Sequence, residues 1–412
     1  MKQIQELIQE RKDRGFAMAK QERPKYKNGV WLVRSASNPR QQYQVSLELE
    51  GAKCNCEDFK ERGIYGIKCK HYWSVEYTLT QTELHSDGSI TQTTVTKRKT
   101  YPQNWKAYNE ASVRQKELYL KMLNDLCNTI QEPARKEGAG RPSMPLRDMV
   151  FASGLKVYTT FSLRRYGSDM KEAQSKGYMK SVPEFSTVAY YMRNPDLTPI
   201  LKGLITLSAL PLKTVEEKGS FSIDATGFSP ALFSRWYDHK YKMVRGRKIF
   251  YKAHLLIGNT THIVCGADVT TEYVSDSVML PELVQGVSRE FKIPELDADK
   301  GYLSHNNLEC LDKLGIVPYI PFKSNTVATT DTASVWGRLY NYFALNQSAF
   351  MEHYHQRSNV ESAVFMIKSK FGDYTRSKTD TACVNEILLK ILAHNICCLI
   401  QEMFELKIEV HF

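Results

Sequence analysis

Apolar residues recur at helical spacing over much of the first half of this chain and again at its carboxyl end. The strongest repeat comprises Ile387, Leu388, Ile391, Leu392, Ile396 and Leu399. It predicts a helix over residues 385–405 that packs into a core. Weaker repeats predict helices over residues 4–21, 104–130, 145–158, 163–176, 187–192 and 197–210. Residues 146–218 therefore form a helical middle region, for which a helix-turn-helix is one interpretation, although no recognition helix can be identified.

Short alternating or continuous apolar runs predict strands in two other parts of the chain. Near the amino end, strands are expected at 30–35 and 42–49, followed by a helix at 69–78. In the second half, strands are expected at 221–224, 248–257, 261–269 and 317–322 and within 293–302, where Gly301 terminates the strand, with a helix at 304–314. The polar run 82–100 predicts a loop or a long hairpin. These elements predict an α+β or α/β protein of several domains, with a mixed sheet flanked by helices.

Two aspartates stand at predicted strand ends. Asp224 ends the strand 221–224 before an expected turn at residues 225–227, and Asp299 lies at the carboxyl end of a second strand within residues 293–302, which Gly301 terminates. Carboxyl ends of strands converge on the reaction crevice of open α/β sheets. Asp297 precedes Asp299 by two residues and would share its face, so the spacing does not choose between them. We interpret Asp268 and Asp276 as a surface turn residue and a helix N-cap.

A polar stripe is predicted near the end of the chain. Tyr354, Arg357, Glu361 and Lys368 are separated by three, four and seven residues. On one helix, at roughly 100° per residue, they would occupy a sector of roughly 60°. Residues 354–370 contain no proline or glycine, and an apolar repeat on the adjacent face could hold the helix in place. The alternative is a solvated face with an ordinary i, i+4 ion pair.

These motifs together resemble insertion-sequence transposases of the DDE type. The family's third motif is Tyr, two residues, Arg, three residues, Glu, six residues, Lys, which matches Tyr354, Arg357, Glu361 and Lys368 at every position. Residues 223–227 resemble the first motif and residues 298–302 the second, and the resemblance favours Asp299 over Asp297. It covers roughly residues 101–412.

The resemblance implies an RNase H-like catalytic domain. Asp224, Asp299 and Glu361 would be the catalytic ligands of Mg²⁺ or Mn²⁺, two ions per site. Tyr354, Arg357 and Lys368 would lie near the DNA of the transposon end. Hard divalent ions prefer carboxylate oxygens, and a pair of them suits phosphodiester cleavage.

A second group of candidate ligands lies near the amino end. Cys54 and Cys56 are followed after twelve residues by Cys69 and then His71. Three thiols and an imidazole are the ligand types of a closed, structural zinc site. With the two strands and the helix around them they would form a ββα unit, and the pattern resembles the SWIM zinc finger. The alternative is a set of buried cysteines beside an unrelated histidine.

Composition agrees with a nucleic-acid enzyme of the cytosol. The chain has 412 residues, 42 % of them hydrophobic, a net charge of +11 and a pI near 9.0, which favours a polyanionic partner. Nine cysteines, mostly ungrouped, argue against a disulfide framework. No signal peptide and no run of roughly 20 apolar residues is evident, so we expect a soluble, cytoplasmic, nucleoid-associated protein without a membrane partner.

The positive charge is concentrated between residues 135 and 180, where ten basic residues face four acidic ones. This segment is a candidate DNA-binding region. It begins with the glycine- and proline-bounded stretch 138–142, whose Arg141 could enter a minor groove. The alternative for this stretch is a linker before the next helix.

We therefore predict five segments. They are an N-terminal helix (1–25), a SWIM-type zinc finger (26–85), a polar loop, helix and basic linker (86–145), a helical, DNA-binding region (146–218) and an RNase H-like DDE domain (219–412). The predicted function is a DNA transposase acting on double-stranded DNA, at element terminal repeats and target sites, as a homodimer on DNA. The alternatives are a transposase-derived, zinc-containing regulator without cleavage and an RNase H-like nuclease for repair or RNA.

Overall fold

A computed structural model describes residues 2–22, 24–27, 30–35, 38, 41–48, 51–62, 68–84, 90–94, 104–133, 143–230, 240, 250–323, 326 and 333–412. The chain divides into two compact units, Met1–Pro102 and Gln103–Phe412. The predicted helical region and the predicted catalytic domain belong to the same unit. Arg141 and the stretch 138–142 around it lie outside the described residues.

The amino-terminal unit is built on an antiparallel sheet of four strands in the order β1-β2-β3-β4. These are Lys25–Lys27, Val30–Arg34, Gln42–Glu48 and Gly51–Cys54, accompanied by helices α1 (Lys2–Gln21), α2 (Glu57–Arg62) and α3 (Lys70–Leu79). β5 (Thr80–Leu84) and β6 (Ile90–Thr94) follow and pair antiparallel, which supports the hairpin alternative predicted for residues 82–100 as far as residue 94; residues 95–100 lie outside the described residues. The ββα prediction missed β1 and β4, because strands of three and four residues carry too little alternation to be recognised.

Helix α1 lies directly against α3. A Cβ atom on Gly15 would stand 2.6 Å from the Cβ of Trp73 and 2.7 Å from the carbonyl oxygen of Lys70. Only glycine therefore permits this approach. Below the helices, Val33, Val45 and Val75 form a small core that is continuous with the buried cysteines.

The carboxyl-terminal unit begins with helices and ends with helices, and its sheet lies between them. The first group is α4 (Trp105–Asn128), α5 (Leu146–Thr159), α6 (Gly167–Ser175), α7 (Phe185–Tyr191), α8 (Leu197–Ala209) and α9 (Lys213–Glu216). The later helices are α10 (Asp276–Val287), α11 (His305–Lys313), α12 (Val335–Leu345), α13 (Gln347–Tyr354), α14 (Ser358–Phe371) and α15 (Asp380–Glu405). Most were predicted to within a few residues, and Ser304 caps α11 by accepting a hydrogen bond from the backbone N–H of Asn307.

The sheet of this unit is mixed and has the order β11-β10-β7-β8-β9. Its strands are β7 (Phe221–Phe228), β8 (Tyr251–Gly258), β9 (Val264–Thr271), β10 (Glu295–Ala298) and β11 (Val317–Tyr319). β7, β8 and β9 pair antiparallel, whereas β10 pairs parallel with both β7 and β11. The central strand β7 therefore joins an antiparallel half and a parallel half.

Helix α15 runs through the core of this unit. By length and composition it could cross a membrane, contrary to the expectation that no such stretch exists, but 83 % of its apolar window is buried inside the protein. It packs against α4, α5, α8 and β9. Its apolarity is therefore explained by its place in the core.

The polar residues of α15 are buried with their partners. The side chain of Asn395 accepts a hydrogen bond from the N–H of Val264 at 2.9 Å and donates to the carbonyl oxygens of Val264 and Ile205 at 2.7 and 3.1 Å. It also donates to the hydroxyl of Ser208 at 2.9 Å. One amide thus joins the helix to the start of β9 and to α8.

We expect Asn395→Ala to lower the free energy of unfolding by about 3 kcal/mol, because it leaves several buried groups without a hydrogen-bond partner. Urea unfolding followed by tryptophan fluorescence measures the change. The matched control is Asn109→Ala on the exposed face of α4, which should change the free energy by about 0.5 kcal/mol or less. Equal effects of the two substitutions would contradict the role given to Asn395.

Candidate active site and zinc centre

Asp224 lies in the middle of β7, and the turn predicted at residues 225–227 is wrong. Pairing with β8 continues from Asp224 opposite Leu255 to Phe228 opposite Tyr251. The parallel partner β10 stops earlier, at Ala298 opposite Ile223. Asp224 therefore lies one residue beyond the last parallel pair. β7 continues past it in antiparallel pairing with β8. The polar residues after Asp224 suggested a turn because their pairing with β8 is not visible in the local pattern.

Asp299 follows β10 directly. The register that pairs Ala298 with Ile223 brings the next residue, Asp299, beside Asp224. Its carboxylate accepts a hydrogen bond from the backbone N–H of Lys300 at 2.6 Å and caps a 3₁₀ turn over Lys300–Tyr302. Its side chain is therefore held at the edge where the parallel strands end.

Asp297, the competing aspartate, lies in a different environment. It is fully buried, and it accepts a hydrogen bond at 3.1 Å from Asn259, whose amide also donates to Ser220. Burial raises the pKa of Asp297 to about 8, which disfavours the carboxylate form that a metal ligand needs. Asp297 thus belongs to a buried polar network, whereas Asp299 does not.

The polar stripe does not lie on one helix, and that prediction is wrong. α13 ends at Tyr354, residues His355–Arg357 form a 3₁₀ turn, and α14 begins at Ser358. The hydroxyl of Ser358 donates to the carbonyl oxygen of His355 at 3.0 Å, which supports the tighter turn. No proline or glycine marks this break, so the sequence pattern could not reveal it.

Arg357 is the residue that brings the carboxylates together. Its guanidinium donates to Asp224 at 2.9 Å and to Glu361 at 2.6 Å. The predicted i, i+4 pair with Glu361 is present, and the contact with Asp224 spans 133 positions of the chain. Glu361 is the more accessible partner, with 60 % of its side chain exposed against 29 % for Asp224.

The electrostatics place Asp299 in the same group. Burial raises the pKa of Asp224, and the charge of Asp299 adds to this effect while Arg357 opposes it. Burial alone would lower the pKa of Arg357, but the neighbouring Asp224, Tyr354, Glu361 and Asp299 raise it overall. One half-buried cation therefore offsets the repulsion among three acidic side chains.

Tyr354 lies near Arg357, and Lys368 lies near the end of β7. Tyr354 is half-buried and acts electrostatically on Arg357. The ammonium group of Lys368 lies 5.2 Å from the ring centroid of Phe228, at the end of β7. Tyr354 is thus close to the cation of this group, and Lys368 is close to Phe228, four positions beyond Asp224 on β7.

The predicted zinc ligands converge in the amino-terminal unit. Cys54, Cys56, Cys69 and His71 are all buried, and one ligand atom from each lies within 4.8 Å of the others. Among the described residues no other group of histidine, cysteine and acidic side chains is so compact, so the three carboxylates are spaced more widely. The Nδ1 atom of His71 faces the sulfurs of Cys54 and Cys69 at 3.9 and 4.0 Å. This donor set fits a tetrahedral zinc ion.

The surroundings favour metal binding by these side chains. The three thiols are coupled: hydrogen bonds from Cys54 and Cys69 lower the pKa of Cys56, whereas hydrogen bonds within the cluster and burial raise the pKa of Cys54 and of Cys69, so one thiolate is held by two thiols. The ring of Tyr43 stacks on His71 with centroids 4.1 Å apart, which fixes the plane of the imidazole. β3 and α3 thus position a ligand together.

Comparison with known proteins agrees with both sites. Residues 217–396 match the transposase DDE domain family, and residues 43–79 match the SWIM zinc finger family. The chain carries a DDE transposase domain and a SWIM zinc finger. The first match spans Asp224, Asp299 and Glu361, and the second spans all four members of the Cys–His cluster. No solved structure matches the chain.

Within the DDE domain, the two aspartates left out of the catalytic set have ion-pair partners. Asp268 lies 2.6 Å from Lys202, and Asp276 lies 2.7 Å from Lys252. Their predicted positions need correction, because Asp268 is inside β9 and Ser275, not Asp276, occupies the N-cap position of α10. Asp276 is the first residue of that helix, where a negative charge complements the helix dipole.

Tyr302 is a residue of the DDE domain to which the sequence analysis assigned no role. It is buried on the 3₁₀ turn after Asp299, and among the described side chains its hydroxyl has no hydrogen-bond partner. Burial and the nearby charges of Asp224, Asp276 and Asp299 raise its pKa. The sequence signal that could have identified Tyr302 is its position in the second DDE motif, residues 298–302.

We expect Cys69→Ser to release the zinc and unfold the SWIM unit, because a thiolate ligand is lost and metal binding is coupled to folding. Zinc per chain, measured by atomic absorption, should fall from one to near zero, with loss of circular dichroism at 222 nm. Cys310→Ser, a cysteine outside the cluster, is the control and should retain the metal. Retention of one zinc by Cys69→Ser would disprove the ligand assignment.

Proposed function

We propose that this protein is a DNA transposase that cuts phosphodiester bonds at mobile-element ends and joins the freed ends to target DNA. Asp224, Asp299 and Glu361 are its catalytic residues. The observation that carries the proposal is the contact of Arg357 with both Asp224 and Glu361, next to the Asp299 carboxylate, inside the matched DDE domain.

The strand arrangement supports an RNase H-like fold for this domain. Three strands pair antiparallel in chain order, and two later strands then add on the other side of β7, parallel to it. Asp224 lies on the central strand and Asp299 follows its parallel neighbour. Both carboxylates therefore belong to the part of the sheet where ligands bind in folds with parallel strands.

The three carboxylates fit divalent cations by their chemistry. Mg²⁺ and Mn²⁺ take carboxylate oxygens and complete their shells with water and phosphate, which allows a site that is open on one side. A pair of such ions held by Asp224, Asp299 and Glu361 would activate a water or a 3′ hydroxyl and stabilise the leaving oxygen. The exposed carboxylate of Glu361 is the one best placed to adjust when DNA enters.

Arg357, Tyr354 and Lys368 would hold the DNA. The planar fork of Arg357, which contacts two carboxylates here, can equally bind a phosphate through two parallel hydrogen bonds. The phenol of Tyr354 offers a hydrogen-bond donor beside it. Lys368 would bind a phosphate as a point charge further along β7.

The partner we propose is double-stranded DNA, in the form of terminal repeats and target sites. The basic charge of the chain favours it, and two element ends must be held together, so we propose a homodimer on DNA acting in the cytoplasm. A regulator descended from a transposase would not need the carboxylates, whose shared contact with Arg357 argues against that alternative. An RNase H-like repair or RNA nuclease would not require terminal repeats.

We expect Asp224→Asn, Asp299→Asn and Glu361→Gln each to reduce cleavage by about a thousand-fold or more, or roughly 4 kcal/mol in the activation barrier, because each removes an anionic ligand. The assay is cutting of a supercoiled plasmid that carries the element ends, with Mg²⁺ or Mn²⁺. DNA binding, measured separately by gel shift, should be retained.

The matched control is Asp297→Asn, the same substitution two residues before Asp299. It should keep cleavage within about three-fold of the wild type, because Asp297 lies in the buried network away from Arg357. Normal cutting by the three catalytic variants would refute the site. A wild-type protein that binds the ends without cutting them would support the regulator.

We expect Arg357→Lys to reduce cleavage by about 10- to 100-fold, because lysine keeps the charge but cannot contact two groups as a planar fork. The rate at saturating DNA is the quantity to measure. Arg338→Lys serves as control, since Arg338 makes an exposed ion pair with Asp312 and contacts none of the three carboxylates in the bonds described for it. If the lysine variant at position 357 cuts as fast as this control, charge alone suffices at that position.

A further inference from the structure

A second cationic site lies beyond the far end of β7. It is a cavity of about 210 Å³ between α5, the end of α14, the segment after it and α15. Its charged lining consists of Lys156, Lys370, Arg376, Lys390 and Glu386. Lys156 lies in the candidate DNA-binding segment 135–180, whereas the sequence analysis assigned the other four residues to no site, and Asp224, Asp299 and Glu361 do not line the cavity.

The inner part of this cavity is a buried ion pair. Lys156 and Glu386 lie 3.2 Å apart, with 5 % and 3 % of their side chains exposed. Glu386 also accepts hydrogen bonds from the backbone N–H groups of Arg376 and Ser377 and from the Ser377 hydroxyl. These partners lower its pKa against the opposing effect of burial. The single carboxylate of the lining is thus ionised and already saturated with donors.

Lys390 adds a buried charge that this carboxylate does not pair. Its ammonium donates to the carbonyl oxygens of Gly372 and Tyr374, and only 3 % of the residue is exposed. Burial lowers its pKa to about 8, an effect that Glu386 opposes and that Lys156 and Arg376 reinforce. Lys390 is therefore still mostly cationic at pH 7 and adds a positive charge to the cavity.

Lys370 and Arg376 stand at the exposed rim. Lys370 donates to the side-chain oxygen of Gln115 at 2.6 Å, and Arg376 lies 3.5 Å from the hydroxyl of Tyr374. Both contacts are with neutral groups. Four cations and one carboxylate leave the lining with a charge of +3, which a bound anion would offset.

Thr160 completes the lining in an unusual conformation. Its φ angle is +56°, in the left-handed region that β-branched residues rarely adopt.

The cavity is smaller than the roughly 300 Å³ of sites for drug-sized ligands, and it suits a single compact anion. We propose that this cavity binds a phosphate group.

The position of the cavity suggests where the phosphate comes from. The ring centroid of Phe228 is 5.6 Å from the ammonium of Lys390 and 5.2 Å from that of Lys368. Phe228 follows Asp224 by four residues of strand, or roughly 13 Å. A DNA strand rises about 3.4 Å per nucleotide, so the cavity lies within a few nucleotides of the catalytic carboxylates. One source of the phosphate is thus the backbone of bound DNA, and this assignment rests on the proposed function. The other source is a free phosphate ion.

The first test uses inorganic phosphate and the full-length protein, and it does not depend on cleavage. We compare the double variant Lys370→Gln/Arg376→Gln with Lys292→Gln/Lys313→Gln, which changes two exposed lysines elsewhere in the same unit. All four positions are exposed, so folding is not at risk. Millimolar phosphate should raise the melting temperature of the wild type and of the control, and should not raise that of the cavity variant.

The second test measures how salt weakens binding to double-stranded DNA. If the phosphate belongs to DNA, the cavity variant should lose about one unit of slope in log Kd against log salt relative to the control. Loss of the phosphate response with an unchanged slope assigns the cavity to a free phosphate. Equal phosphate responses of the two variants overturn the proposal, whatever happens to DNA binding. Failure of the transposase assignment would appear separately, in the cleavage assay.

Discussion

The carboxyl-terminal unit depends on burying one long helix together with its polar side chains. α15 is apolar enough for a membrane, yet it carries Asn385, Glu386, Lys390, His394 and Asn395 into the core. Burying a polar group without a hydrogen-bond or ion-pair partner costs free energy. Each of these side chains therefore requires a polar group packed against it. Asn385 bonds Thr198 and the carbonyl oxygens of Met192 and Asn194, and His394 bonds the carbonyl oxygen of His262.

These bonds connect α15 to elements that are distant in the chain. Through them the helical middle region, the edge of the sheet and the segment after α14 share one core. That core holds β7 and α14 in place, and with them Asp224 and Arg357. The arrangement of Asp224 and Arg357 is thus a consequence of packing around α15, and not a local property of the DDE motifs.

The two candidate metal sites are built in different ways. The Cys–His cluster draws its ligands from one small unit, in which β3, β4 and α3 close around them. Soft ligands at short spacing suit a permanently bound, structural zinc ion. The carboxylates come from two strands and a helix, are spaced more widely and are offset by Arg357. Such a site suits ions that enter with DNA and retain water.

Much of the local structure could be read from the sequence. Most helix positions and the grouping of Cys54, Cys56, Cys69 and His71 were predicted, and the structure and the SWIM family match confirm them. These features depend on short-range periodicity, capping and ligand spacing, which neighbouring residues determine. The three DDE motifs were likewise recognisable one at a time.

Only the tertiary structure determined how these residues are arranged relative to one another. The register of β7 against β10 separates Asp299 from Asp297, and the pairing with β8 turns an expected turn into strand. The 3₁₀ turn before Ser358 redirects Arg357 toward Asp224, and the cationic cavity joins Lys156 to residues more than 200 positions later. Strand register and helix docking result from many distant contacts summed over the core. A local sequence pattern therefore specifies each element, while the relation between elements is determined by their packing.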